Sequence, residues 1–233
     1  MPSKRIDLNA DVGEGLPAEQ ERGLLEVVTS ASIACGFHAG DLDTMRRTLA
    51  IGKELGIRAG AHPSYPDREN FGRVSMAMRP ESLVDCIGEQ VSMLQEAALE
   101  MGMRIRYLKP HGALYNDAAI DESVARSIAT AAGLLGLPMM LLAGAPTLPR
   151  LPGDVPPVIA EGFLDRGYRE DGTLVPRTEP GALITEPAAA AEQAVRLAPS
   201  VDSLCVHSDS PAAATLSRAA RSALEAAGYE IGY

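Results

Sequence analysis

The sequence predicts an α/β fold, one (β/α) barrel domain over residues 1–233. Three observations predict it. Short apolar runs alternate with helix-like runs along the whole chain. The apolar runs are nearly continuous, as in parallel strands buried on both faces. A motif rich in Gly, Asp, His or Lys follows nearly every one of them. Parallel α/β folds carry their sites at the C-terminal ends of strands. An open sheet would gather polar motifs only at its switch point, whereas in a barrel many loops meet at one mouth, so motifs after nearly every strand select the barrel. The glycine pattern of a dinucleotide-binding turn is absent.

Seven strands are expected, at residues 5–10, 32–37, 58–61, 104–109, 139–143, 158–161 and 203–207. The helices lie between them. Residues 17–29 carry Leu24, Leu25 and Val28. Residues 41–55 carry Leu42, Met45 and Leu49, with Asp41 as N-cap and Gly56 as stop. In 80–101, Val84, Ile87, Val91, Leu94, Ala98 and Met101 recur at helical spacing, and Gly102 ends the run. Residues 121–135 repeat the pattern up to Gly136, and 187–197 and 211–227 are Ala-rich helices. Five prolines make 145–157 a loop with at most one helical turn. The polar, Gly-rich stretch 163–184 is long for a plain connection, and long ordered loops are often functional.

Apolar residues are 46% of the chain but aromatics only 4%, with no Trp, so the core must be built from Ala, Leu, Ile, Val and Met. A net charge of −10 argues against binding a nucleic-acid backbone. Cys35, Cys86 and Cys205 are isolated and odd in number, which predicts buried thiols in a reducing compartment. The start of the chain lacks the long apolar segment of a signal peptide, and the longest apolar stretch is too short to cross a bilayer. The expected location is the cytoplasm.

All four histidines end apolar runs: His38, His62, His111 and His207. Asn9 and Asp11 end the first run and lie two apart, on one side of a strand. That placement favours a shared role over the alternative in which Asp11 only caps the next helix. The helix opened by His38-Ala39-Gly40-Asp41 offers free N–H groups to an anion. The segment His62–Arg73 adds Arg68 and Arg73, and would otherwise be a solvated charged loop. Lys109-Pro110-His111-Gly112 is the most suggestive quartet, with a cation and an imidazole at one turn. Glu161, Arg166 and His207 follow later strands; His207 alone would read as an interior histidine. Phosphate-binding P-loop, GxSxG and HExxH motifs are absent.

Taken together, residues 6–15, 33–41, 60–73 and 109–116, and Asp165–Tyr168 with Asp171-Gly172, resemble the LamB/YcsF family, in order and spacing along nearly the whole chain. The resemblance implies an irregular seven-stranded (β/α) barrel similar to glycoside hydrolase- and deacetylase-type barrels. It implies ATP-dependent opening of 5-oxoproline to glutamate, beside two further subunits, B and C. A five-membered lactam is a stable amide, and ATP would activate it by phosphorylating its oxygen before water attacks. Asp11 or His111 would then act as general base, Lys109 and Arg166 would stabilise developing negative charge, and Glu161 would orient a cation or a water. Asn9, His38, His62, Arg68, Arg73 and His207 would bind substrate, with Arg68 or Arg73 on its carboxylate. Mg²⁺ is expected with ATP. Whether Asp11 and the histidines hold a divalent metal, and whether the chain forms a homo-oligomer, the sequence leaves open. The competing readings are a metal-dependent deacetylase or amidohydrolase on a similar barrel, and a non-catalytic sensor or scaffold.

Overall fold

The computed structural model describes residues 4–210 and 212–233. Six parallel strands form one curled sheet: β1 (Lys4–Val12), β2 (Ser30–Ala34), β3 (Arg58–His62), β4 (Met139–Leu142), β5 (Val158–Phe163) and β6 (Ser203–His207), in the order β3-β2-β1-β6-β5-β4. Residues 106–109 fill the gap between the outer strands. Leu108 bridges Ala61 on β3 and Met139 on β4, both in parallel. Lys109 N donates to the Ala61 carbonyl at 2.9 Å and Met140 N to the Leu108 carbonyl at 2.8 Å. The strand expected at 104–109 is thus a stave with bonds on both sides but no regular ladder.

Tyr107 explains its irregularity. A Cβ at Gly60 would stand 2.2 Å from the Tyr107 ring, so the ring lies where a β3 side chain would otherwise project. A short β7 (Tyr229–Ile231), not foreseen, pairs with the start of β1 outside this ring.

The helices are α1 (Ala18–Leu25), α2 (Leu42–Leu55), α3 (Pro80–Glu100), α4 (Gly112–Ile120), α5 (Glu122–Leu135), α6 (Pro187–Leu197) and α7 (Ala213–Ala226). Asp41 caps α2 by accepting from Thr44 N at 2.8 Å, and Gly56 ends it at φ 70°. Asp121 caps α5 in the same way. The expected start of the last helix at Pro211 lies outside the described residues. Residues 145–157 hold one 3₁₀ turn, as the prolines required. α1 stops four residues before the expected Thr29. β2 stops three residues before Phe37, because the chain turns at Gly36, φ 91°. Among the described residues no helix is long and apolar enough to cross a membrane.

The apolar core lies between sheet and helices. On β1, Ile6, Leu8, Ala10 and Val12 face it, and the Ala-rich helices pack closely against the strands. The alternate residues Asp7, Asn9 and Asp11 are also buried, in the barrel interior. Asp7 accepts from Ser30 and Ser203, and Asn9 donates to Ser203 at 2.8 Å and to Glu161 at 2.9 Å. The barrel is therefore filled by a polar column that rises along β1 towards the C-terminal ends of the strands.

Candidate active site

The column ends at Lys109. Its ammonium lies 2.7 Å from Asp11 Oδ1, 2.8 Å from Glu161 Oε1 and 3.3 Å from Asn9 Oδ1, with Cys205 Sγ at 3.1 Å. Lys109 is 1% exposed. Burial alone would lower the lysine, but Asp11 and Glu161 hold it well above its usual value and keep it charged. Burial alone would likewise raise the Asp11 carboxyl, but the His62 ring and the Lys109 ammonium hold it well below the usual range. Both groups are ionised at neutral pH.

Asp11 Oδ2 faces two imidazoles, His62 Nε2 at 3.4 Å and His207 Nε2 at 4.0 Å. His207 Nδ1 rests on Asp165, 3.1 Å from either carboxylate oxygen, and its backbone N–H donates to the same group at 3.0 Å. The ring stacks on Phe163 at 5.1 Å. Carboxylate, imidazole and free ring nitrogen thus follow one another, the order of a base held by an orienting acid.

On the other side, Glu14, His38, His62 and His111 bring one ligand-type atom each within 4.8 Å of one another, a cluster compatible with a divalent metal. Glu14 stands just past β1 between Gly13 and Gly15. Gly72, at φ 65°, lets the 62–73 loop press on the rings: a Cβ there would meet His38, His111 and Ser64 at 3.0–3.1 Å. The His38 and His111 rings stack at 3.8 Å. Burial pulls His38 down to about 3 and His111 below its ordinary value, so both are neutral. Burial also opposes charge on His62, but Asp11 outweighs it and the net shift is upward.

These groups open on a cavity of about 610 Å³, walled by Tyr115, Ala119, Leu142, Phe163 and Leu174. Residues 163–184 form a flap over it, folded by antiparallel bridges Arg166↔Leu183 and Tyr168↔Leu174. At the rim Asp209 accepts from Arg73 at 2.5 Å and from Arg177 at 3.0 Å.

The structure brings Asn9, Asp11, His38, His62, Lys109, His111, Glu161 and His207 together. It leaves Arg68 aside: its guanidinium donates to the Gly36 and Gly40 carbonyls, bracing a loop. Arg166 lines the cavity, but two of its N–H groups go to the Ala182 and Val175 carbonyls of the flap. His111 Nε2 donates to the Phe71 carbonyl at 2.9 Å, while its Nδ1 lies 3.0 Å from His62 Nε2 and 3.1 Å from Glu14 Oε1. Glu14 and Asp165 are site residues that the sequence reasoning missed. Both lie inside the family-like motifs, and the only signal was a carboxylate close to a strand end.

The LamB/YcsF family matches residues 6–232. The chain belongs to the LamB/YcsF family. Within it, a protein from Streptomyces avermitilis, named as the A subunit of 5-oxoprolinase, is 44% identical, over 97% of this chain and 98% of the relative. One of the same name from Methylococcus capsulatus is 41% identical, over 98% and 95%. The crystal structure of a lactam utilization protein from Thermus thermophilus superposes with a TM-score of 0.87 at 35% identity, covering 98% of this chain and 99% of that one. A family 4 carbohydrate esterase from Streptomyces lividans shares the fold alone, with a TM-score of 0.56 at 11% identity over 100% and 93% of the two chains. The expected deacetylase-type barrel is therefore the architecture of this family member.

Proposed function

We propose that this chain is the A subunit of an ATP-dependent 5-oxoprolinase, a hydrolase that opens the lactam of 5-oxo-L-proline to L-glutamate together with subunits B and C. The substrate comes from the names of relatives that match the chain end to end. The observation that carries the chemistry is the buried Asp11–Lys109–Glu161 group beneath a cavity of about 610 Å³, a size typical of small-molecule sites at ~300–1,000 Å³.

In this reading ATP transfers its terminal phosphoryl group to the lactam oxygen and leaves as ADP. Water adds to the same carbon, the C–N bond breaks as the nitrogen takes a proton, and a second water releases phosphate from the resulting acyl phosphate. Asp11 Oδ2 and His207 Nε2, 4.0 Å apart, bracket a place for the attacking water. Asp11 takes its proton, and His207, oriented by Asp165, carries a proton to the departing nitrogen. Lys109 keeps Asp11 ionised and lends positive charge to the oxygen that turns negative. Arg73 and Arg177, on releasing Asp209, hold the substrate carboxylate or a phosphate. Glu14, His38, His62 and His111 fit a divalent ion, which would supply a Lewis acid beside the lactam. Three histidines do not suit Mg²⁺, which prefers oxygen, so Mg²⁺ enters with the phosphates of ATP. The three buried free thiols suit a cytoplasmic enzyme.

The test is glutamate and ADP release by the chain mixed with subunits B and C. Asp11→Asn keeps the side-chain volume and should lower turnover by ~10²–10⁴-fold. Near-normal turnover in that variant would remove Asp11 from the mechanism, and no glutamate from the wild-type mixture would refute the reading. The Glu14–histidine cluster favours a second reading, metal-dependent amide hydrolysis, which requires turnover without ATP that a chelator abolishes.

A further inference from the structure

Two backbone carbonyls determine where protons sit in the histidine cluster. His62 Nδ1 lies 2.8 Å from the Lys109 carbonyl oxygen, and His111 Nε2 lies 2.9 Å from the Phe71 carbonyl oxygen. A carbonyl only accepts, so both nitrogens carry hydrogen. In the neutral rings the opposite nitrogens, His62 Nε2 and His111 Nδ1, then hold lone pairs. These two atoms are 3.0 Å apart. Glu14 Oε1, itself an acceptor, lies 3.1 Å from His111 Nδ1 and 3.7 Å from His62 Nε2. His38 Nε2 meets the same oxygen at 3.1 Å. The four side chains are 0–5% exposed, so bulk water does not separate them. A proton on His62 would relieve the 3.0 Å contact and leave His111 Nδ1 against the carboxylate. His38 Nδ1 has no partner, so no carbonyl fixes the His38 tautomer.

We propose that Glu14 Oε1, His38 Nε2, His62 Nε2 and His111 Nδ1 bind one transition-metal ion of the zinc class. Ligands at about 2.0–2.2 Å around a tetrahedral zinc stand about 3.3–3.6 Å apart. Four of the six separations, 3.0, 3.1, 3.1 and 3.7 Å, bracket that range, and the ion enters as the stacked His38 and His111 rings tilt to bring both lone pairs onto it. The Lys109 and Phe71 carbonyls are the outer partners that orient ligating imidazoles. Charge agrees in sign: Asp11 and Glu161 share the one buried ammonium, Lys109, Glu14 faces only imidazoles, and a dication offsets the excess of buried carboxylate. Three nitrogens and one oxygen select zinc, cobalt or nickel over magnesium and calcium.

The assignment goes beyond the 5-oxoprolinase reading and does not rest on it. Its test uses the isolated full chain, purified without a histidine tag, with metal content measured by mass spectrometry and Co²⁺ bound as a spectroscopic probe. Wild-type protein should hold about one zinc per chain through gel filtration, lose it to a chelator, and give the intense visible bands of tetrahedral Co²⁺. Glu14→Gln and His111→Gln, each shown folded by circular dichroism, should bind Co²⁺ at least about tenfold more weakly. Wild-type chain that takes up no stoichiometric zinc or cobalt overturns the proposal, as does binding unchanged in both variants. Both measurements omit substrate and partners, so a failed 5-oxoprolinase assay leaves this result standing.

Discussion

At the cavity floor Lys109 sits 1% exposed between Asp11 and Glu161, while at the rim the Arg73 and Arg177 side chains are 39% and 26% exposed where they share Asp209. Both are ion pairs at one site, yet they answer to different physics. On the floor the side chains are all but buried, and each charge is held chiefly by protein atoms that solvent does not replace. At the rim solvent screens the pair and can take over from either partner. The difference separates a preorganised electrostatic group from a pair of cations ready to change partner when an anionic ligand arrives.

The sharpest way to break this contrast is Lys109→Met. It leaves Asp11 and Glu161 buried without a cation, and removing one partner of a buried pair costs about 3–5 kcal/mol. Urea unfolding should show that loss, and glutamate release should disappear with it; a variant as stable as wild type would make the floor no different from the rim. Gly60→Ala comes next. The added methyl meets the Tyr107 ring, and overpacking costs about 1–3 kcal/mol, seen in the same unfolding experiment and absent if the 106–109 stave can shift freely. Arg73→Ala should leave the unfolding free energy within about 1 kcal/mol of wild type while raising KM for 5-oxoproline, with kcat nearly kept. Arg68→Ala is the smallest change, within about 0.5 kcal/mol and with KM unaltered. A rise in KM there would return Arg68 to the substrate site.

Much of the fold was legible because local rules agreed with the global one. Asp41 with Gly56, and Asp121 with Gly136, marked helix ends that the structure places where expected. α4 was not legible. Ala113, Leu114, Tyr115, Ala118 and Ala119 are all buried, so the helix has no polar stripe to set a period. β7 is three residues long and only partly buried, too short for any alternation to register. Strand-end histidines and Lys109 announced the site through residue type alone. Arg68 and Arg73 looked equivalent in sequence, and only the path of the 62–73 loop sends one to a loop carbonyl and the other to the cavity. Glu14 needed tertiary structure, since three histidines from three other segments give it meaning.

The stave at 106–109 closes the sheet, and its last residue supplies the buried ammonium. Assembly and activity therefore share one seam. The chain cannot complete its hydrogen-bonded ring without drawing Lys109 out of water, and Lys109 cannot find its carboxylates until the ring has closed. A partly assembled molecule, with helices formed but this seam open, would be inert. Loss of activity on gentle denaturation should then precede loss of helix signal, which makes enzymatic turnover a finer gauge of barrel closure than any spectroscopic average over the chain.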